Sequence, residues 1–469
     1  MRIAIAMVAA LLSAAPALAG FDGLLTAART ENLELLKAEL AAGTDPNPPE
    51  WHNGYAPLQF AAGNGDAGMT RLLLEAGADT EYRDHNGDRA LLWAAYSGTA
   101  ETVKLLLDAG SPADADADPH GETPMMTASW YNHEDMVRLL LAAGADPNRR
   151  DQSSLTALHL AARTDNAALV QLLLDAGANP NVVSESLYET PMHEAAMRSV
   201  PAVIAVLATA HAALEVRDHE GMTPLHVAAA IGNGANVVAL LAASADPDAR
   251  RPDGNTPILT ALAPLNDDRP EKQIGLAALV EATVDTDRAF AAALGYGRTQ
   301  IALRLLERGA DVNALDGQGR SALANAATQR GMTMYQYLVL RGADVERFGG
   351  EALLAAAGAG NSGVVRDLLG RGFDLETRNA DGYTPLLVAV ASRRVEMVKL
   401  LLSAGANRAA RSHDGRGTAE LLTIAEIPLE MQLEDYEQSA AWHPTEELEI
   451  NLETLRENRA ELHGLLGLD

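Results

Sequence analysis

The sequence predicts an all-α solenoid of about twelve helix–turn–helix repeats, and three observations predict it. A Thr-Pro-Leu-His-like motif recurs at spacings that are mostly 33 or 34 residues. A set of glycines keeps the same period independently. The composition of the 469 residues is 48% hydrophobic but only 4% aromatic, so the core is built from Ala, Leu and Val, which suits close-packed helices better than a sheet. A chain of this length exceeds what one compact core supports, and a repeat array resolves that.

The fullest copy of the motif is Gly221-Met222-Thr223-Pro224-Leu225-His226-Val227-Ala228-Ala229. Its proline position recurs at Gly23, Pro57, Ala90, Pro124, Ala157, Pro191, Pro224, Pro257, Ala289, Ala322, Ala352 and Pro385. Glycines at 43, 77, 110, 144, 177, 309, 342, 372 and 405 each follow that position by 20 residues, with His211 and Ser244 standing in twice. Proline suits the first turn of a helix, where its missing N–H costs nothing, and the preceding Thr can cap that helix. Paired alanines, as at 61–62, 161–162 and 228–229, let helices approach closely. Leucine triplets such as Leu72 to Leu74 supply the apolar stripe of a second helix, and the glycine after it permits a left-handed cap. Stretches such as Asp84-His85-Asn86-Gly87 form turns.

This pattern resembles the ankyrin repeat family, whose unit carries a Thr-Pro-Leu-His-x-Ala signature. The resemblance covers residues 21 to 418. It implies antiparallel helix pairs with protruding hairpin loops, and function through binding another protein in a concave groove. It also implies that the repeated histidine hydrogen-bonds to the neighbouring turn.

Five segments follow in order. Residues 1–19 read as a signal peptide: Met1-Arg2, an apolar run from Ile3 to Leu12, and Pro16-Ala17-Leu18-Ala19 before a cut after Ala19. The apolar run is short for an uncleaved anchor. Residues 20–256 form a regular N-terminal block. Residues 257–300 are irregular, with a polar insert from Asn266 to Lys272 and a following copy that lacks the proline and histidine. Residues 301–418 form a C-terminal block, in which the turn before Ala352 is three residues short. Residues 419–469 form a helical cap, in which Leu448, Leu452, Leu455, Leu462, Leu465 and Leu466 fall near one helical face; the other reading is an amphipathic helix offered to a partner. These features place the protein outside the cytoplasm, periplasmic or secreted, as a monomer without stable membrane insertion once the leader is cut.

The formal charge of −28 disfavours nucleic acid and favours a basic partner, or serves solubility alone. The absence of cysteine removes disulfides, thiol nucleophiles and cysteine-ligated metals. His159, His193 and His226 form a ladder in consecutive repeats, but helices pack about 8–10 Å apart and zinc needs each nitrogen at about 2.0–2.1 Å. His133-Glu134-Asp135 and His193-Glu194 lack the spacing of a zinc helix. Asp114, Asp116 and Asp118 lack the glycine and distal Glu of a calcium loop and read as a solvated acidic loop. No catalytic residue, cofactor or metal site is assigned.

Carried over from the family, the partner-binding strip comprises Tyr55, Asp88, Glu122 and Glu189 from the turns and Tyr96, Trp130, Tyr131, Arg163 and Arg198 from the first helices. Aromatic residues and Arg dominate binding hot spots, and in a chain with 4% aromatics their concentration between residues 51 and 131 marks repeats two to five. Trp93 reads as core. The expected function is a non-enzymatic binding scaffold. An inhibitor or immunity-like protein acting through the same groove, and a metal or enzymatic role in the irregular or C-terminal segment, are the alternatives.

Overall fold

The fullest repeats build two helices because their sequence supplies two start signals and one stop. In the fourth copy, Thr123 Oγ1 accepts from Met126 N–H at 3.3 Å and Pro124 occupies the first turn of the helix Pro124–Trp130. Several second helices are capped by Asp or Asn: Asp66 Oδ1 accepts from Met69 N–H at 2.9 Å, and Asn166 from Leu169 N–H at 3.0 Å. The stop is a left-handed residue, glycine at Gly77 (φ +88°) and Gly177 (φ +89°), with His211 (φ +60°) and Ser244 (φ +72°) adopting the same backbone.

The computed structural model describes residues 21–48, 54–114, 121–198, 200–262, 269–421, 457–458 and 460–468. Helix pairs run from Phe21–Arg29 with Leu33–Ala41 through to Pro385–Ala391 with Val395–Ser403. Among the described residues there is no strand, only an isolated bridge between Leu315 and Ser321. The chain divides into two compact units, Met1–Pro252 with Asp268–Ala278, and Asp253–Asp267 with Leu279–Asp469.

In the first unit the core is a periodic column. Leu73, Leu106, Leu140, Leu173, Leu207 and Leu240, the same leucine of successive second helices, are each 0% exposed. The alanine pairs 61–62, 94–95, 161–162 and 195–196 are equally buried, and they bring the helices into contact. Neighbouring repeats are then stitched through their turns. Asn47 Oδ1 accepts from Asp79 N–H at 2.7 Å, Asn148 Oδ1 from Asn179 N–H at 2.8 Å, and Glu215 Oε1 from Asp246 N–H at 2.8 Å. Within a turn, one aspartate closes the loop: Asp218 Oδ1 accepts from both Glu220 and Met222 N–H at 2.8 Å, and Asp218 N–H donates to the Met222 carbonyl. Gly234 and Gly275 sit where two helices approach closely, since a Cβ on Gly234 would lie 2.0 Å from the Glu271 carbonyl oxygen.

The second unit keeps the same plan, with Leu305, Leu338, Leu368 and Leu401 at 0% exposure. The shortened turn before Ala352 has a definite outcome. The chain makes no hairpin there; a single 15-residue helix, Val345–Ala359, starts at Asp344, whose carboxylate accepts from Arg347 N–H at 3.0 Å. The helix Pro270–Ala282 follows the irregular copy in sequence, with its residues to Ala278 in the first unit and the rest in the second, and residues 263–268, which include Asn266 to Asp268 of the insert, lie outside the described residues.

Thr418 to Leu421 are helical, and residues 460–468 lie against the last repeat. Leu462 and Leu466 are buried, and Lys399 Nζ lies 2.5 Å from Glu461 Oε1, so this end of the chain covers an apolar surface. Leu448, Leu452, Leu455 and the leader 1–19 lie outside the described residues. No helix among the described residues is long and apolar enough to cross a membrane.

Candidate protein-binding surface

The first helix of a repeat places its third, fourth and seventh residues in columns that run from copy to copy. The third column is structural. His159, His193 and His226 are 0% exposed, and Nδ1 of each lies 2.9 Å from Oγ1 of the capping threonine, Thr156, Thr190 and Thr223. Thr156 and Thr190 also donate their backbone N–H to the ring. Nδ1 is therefore the acceptor and Nε2 carries the hydrogen, which His193 donates to the Met222 carbonyl at 3.2 Å. Burial pushes His159 down to about 4 and lowers His193 as well, so both rings are neutral. Gln59 occupies the same column and does the same work. Its Oε1 accepts from Ala56 N–H at 2.8 Å and its Nε2 donates to the Asp88 carbonyl at 2.7 Å.

The fourth and seventh columns, with the turn residues, form the strip. At its N-terminal end, Tyr55 packs against Phe60, Trp93 and His85, with ring centroids 5.7, 6.0 and 6.1 Å apart. Trp93 is half-buried and its indole N–H donates to Asp84 Oδ2 at 3.1 Å, which ties it into its own repeat. Tyr96, 36% exposed, meets Tyr131 edge-on at 5.8 Å, and Tyr131 stacks on His133 at 5.9 Å. Glu122 accepts from Thr127 Oγ1 at 2.7 Å and, after burial, helps raise the Tyr131 phenol. Asp88 contributes its carbonyl to Gln59 and is half-buried.

The strongest convergence lies further along. The guanidinium of Arg163 sits 4.7 Å from the centre of the Trp130 ring, and its Nε is 3.4 Å from Glu194 Oε2. Trp130, Arg163 and Glu194 belong to consecutive repeats. Glu194 is 4% exposed and its Oε2 accepts no hydrogen bond among the described residues. Burial, aided by Glu189 and opposed by Arg163 and Arg198, pushes the Glu194 carboxyl up to about 7. Glu189, 8% exposed, is raised first by burial and then by Asp218. Arg198 is exposed.

The strip residues thus fall into two assemblies, one around Tyr55 and one around Arg163, and a separate Tyr96–Tyr131 pair joins the repeats of Trp93 and Trp130. Glu194 was not among the residues expected on the strip. Its signal was present: the fourth helix position holds Phe60, Trp93, Thr127, Leu160 and Val227 in other copies, and Glu194 puts a carboxylate there. Among the described residues, no group of three or more His, Asp or Glu is placed to hold a metal ion. Both Asp114 carboxylate oxygens lie 2.9 Å from Asp146 N–H, while Asp116 and Asp118 lie outside the described residues.

Comparison with known proteins matches this architecture. The family model described as Ankyrin repeats (3 copies) matches residues 24–115, 76–151, 158–251 and 323–412, well over half of the chain. The chain belongs to the ankyrin-repeat family. Among curated relatives, a B-cell lymphoma 3 protein homolog of Mus musculus is 38% identical over 111 residues, covering 23% of this chain and 25% of that protein. A putative ankyrin repeat-containing protein of Treponema pallidum (strain Nichols) is 36% identical over 122 residues, covering 25% of this chain and 41% of its relative. The matches therefore span less than half the length of these relatives. Among solved structures, the ankyrin repeat domain of Bcl-3 aligns with a TM-score of 0.41 at 25% identity, over 48% of this chain and 99% of that one. The human ASB11 ankyrin repeat domain aligns with a TM-score of 0.42 at 29% identity, over 47% and 96%.

Proposed function

We propose that this ankyrin-repeat chain is an exported, non-enzymatic scaffold that binds another protein along the strip from Tyr55 to Arg198. The observation that carries the reading is the Trp130–Arg163–Glu194 chain. An aromatic ring, a guanidinium and a buried carboxylate from consecutive repeats meet at positions where the solenoid needs only small or apolar residues. Aromatic and Arg side chains in a desolvated setting are the groups that concentrate binding energy. The structural histidines are occupied by their own caps, which removes them from the pool of acid–base groups.

Replacing Trp130 and Tyr131 by Ala tests the placement. Capture of the natural partner from a periplasmic fraction should fall at least tenfold while the far-ultraviolet circular dichroism stays that of the parent, and unchanged capture refutes the strip. Export rests on the leader-like residues 1–19 and is checked by fractionating host cells.

A further inference from the structure

We propose that the turn from Ser184 to Glu189 is a preformed knob that seats Leu187 and Tyr188 in an apolar cleft of the partner protein. The inference rests on the protein-binding reading above. It adds a convex contact to the strip, since the strip residue Glu189 directly follows Tyr188.

The turn is one residue longer than its neighbours. Asp84, Asp151, Asp218 and Asn379 each donate their N–H to the carbonyl four residues on, at Asp88, Leu155, Met222 and Tyr383. Ser184 donates instead to the Glu189 carbonyl, five residues on. The longer loop carries Leu187 and Tyr188, which are 42% and 57% exposed. Two adjoining large apolar side chains left in water are a feature of contact surfaces.

The backbone beneath the ring opposes its presence. Tyr188 has φ +57°. The same place, one residue before the strip position, is glycine at Gly54, Gly87, Gly121, Gly221, Gly254, Gly319 and Gly382, with φ between +75° and +85°. A bulky side chain is costly in this left-handed region, and an exposed ring returns little to the fold. Strain of this kind is kept where a contact needs the side chain.

The knob is also held rigid from both sides. Within the turn, Tyr188 N–H donates to the Ser184 carbonyl and Glu189 N–H to Ser184 Oγ, each at 3.1 Å. Towards the preceding repeat, Glu185 N–H donates to the Ser153 carbonyl at 2.9 Å, and Glu185 Oε1 accepts from Ser154 Oγ at 2.8 Å. Towards the following repeat, the Leu187 carbonyl accepts from His219 N–H at 3.1 Å. A contact fixed in advance loses little entropy on binding, and a tyrosine has few rotors to freeze.

The surroundings select the occupant. Glu185 is exposed within the turn, and Glu220, next to the bonded His219, is exposed as well. In a chain of formal charge −28, these carboxylates repel nucleic acid, an anionic bilayer and a second copy alike. A convex apolar pair then fits a concave apolar surface on a different protein.

The test uses the full chain in its host, with the photoreactive residue benzoylphenylalanine placed by Tyr188→benzoylphenylalanine. Leu340→benzoylphenylalanine, at an 85% exposed position on a second helix, is the control. Irradiation should join the first probe, and not the control, to one protein, with the attachment mapped by mass spectrometry to apolar residues. No adduct, equal labelling from position 340, a dimer of this chain, a lipid adduct or attachment within a charged segment each overturn the inference. With that protein purified, Tyr188→Gly should weaken binding at least tenfold while raising the urea midpoint, because glycine enters the left-handed backbone freely. Leu187→Ser should weaken binding with the midpoint unchanged. Parental binding by Tyr188→Gly, or a lowered midpoint, shows that the ring does not serve the partner. If that happens while the Trp130 and Tyr131 substitutions still abolish binding, the strip stands and only the knob is wrong; if those variants bind normally too, the strip falls with it.

Discussion

Nε2 of His193 lies 3.2 Å from the Met222 carbonyl, so the capping histidine of one repeat is bonded to the turn of the next. The same ring accepts from Thr190 N–H at 3.2 Å, and Nδ1 is 2.9 Å from Thr190 Oγ1. His193→Ala would strand these groups in a buried site and leave a cavity, at a cost of about 2–4 kcal/mol. Gln59 shows that an amide can make both bonds from this position, so His193→Gln should lose about 1 kcal/mol. Urea unfolding of the two variants checks the ranking. Equal losses would mean that packing, not the bonding, is what the ring supplies.

Acid should weaken the stack through the same column. His159 is held neutral in the fold, at about 4, while the unfolded chain protonates it near 6.5. Between those values the unfolded state binds the extra proton, so stability is complete above 6.5 and falls as the pH drops towards 4. At pH 5 the deficit from His159 is about 2 kcal/mol relative to pH 8. His159→Gln removes the titrating group, and its urea midpoint should fall less than the parent's between pH 8 and pH 5. A parallel fall in both proteins would sink the assignment.

Glu194 acts in the opposite direction. Its folded value of about 7 lies above that of a free carboxyl, so the native state holds the proton more tightly and stability is lost as the pH rises from 4.5 through 7. The penalty at pH 8 is on the order of 2–3 kcal/mol. Glu194→Gln should therefore stabilise the protein at pH 8 by about 1–2 kcal/mol, since Arg163 is left partly exposed and can be hydrated, and should change little at pH 5. Thermal unfolding at the two pH values decides. Destabilisation at pH 8 would show that the Arg163 pair outweighs the burial of the acid.

What the sequence made legible was whatever repeats. The proline, alanine, leucine and glycine positions reappear as helix starts, buried contacts and left-handed caps because each is imposed by local geometry, and the period multiplies the signal. Contacts between repeats were less legible. The stitching of Asn148 to Asn179 depends on how two turns are placed, and nothing local requires it. The merging of a shortened turn into the helix Val345–Ala359 was invisible for a related reason: a deletion shows that the hairpin is lost, not what replaces it. The aromatic and charged strip was readable by position, but which residues meet was not. Glu194 is the clearest case, since its proton affinity is set first by burial between repeats and then by Arg163 and Glu189, one in another repeat and one in the preceding turn.

Ser244 tests the local side of that argument. It takes the place of the capping glycine, with φ +72°, and is exposed. A left-handed backbone costs a side-chain-bearing residue about 1–2 kcal/mol, whereas glycine enters it freely and gives back only about 0.5–1 kcal/mol in unfolded-state entropy. Ser244→Gly should therefore raise stability by about 0.5–1 kcal/mol. The reverse change at Gly177, φ +89°, should lower it by a similar amount, and no atom lies within 4 Å of where the new Cβ would stand, so the loss is conformational and not steric. Denaturant midpoints moving in opposite directions would establish the cap as the cause. If Ser244→Gly is neutral or harmful, the serine contributes something at this turn beyond tolerating its backbone.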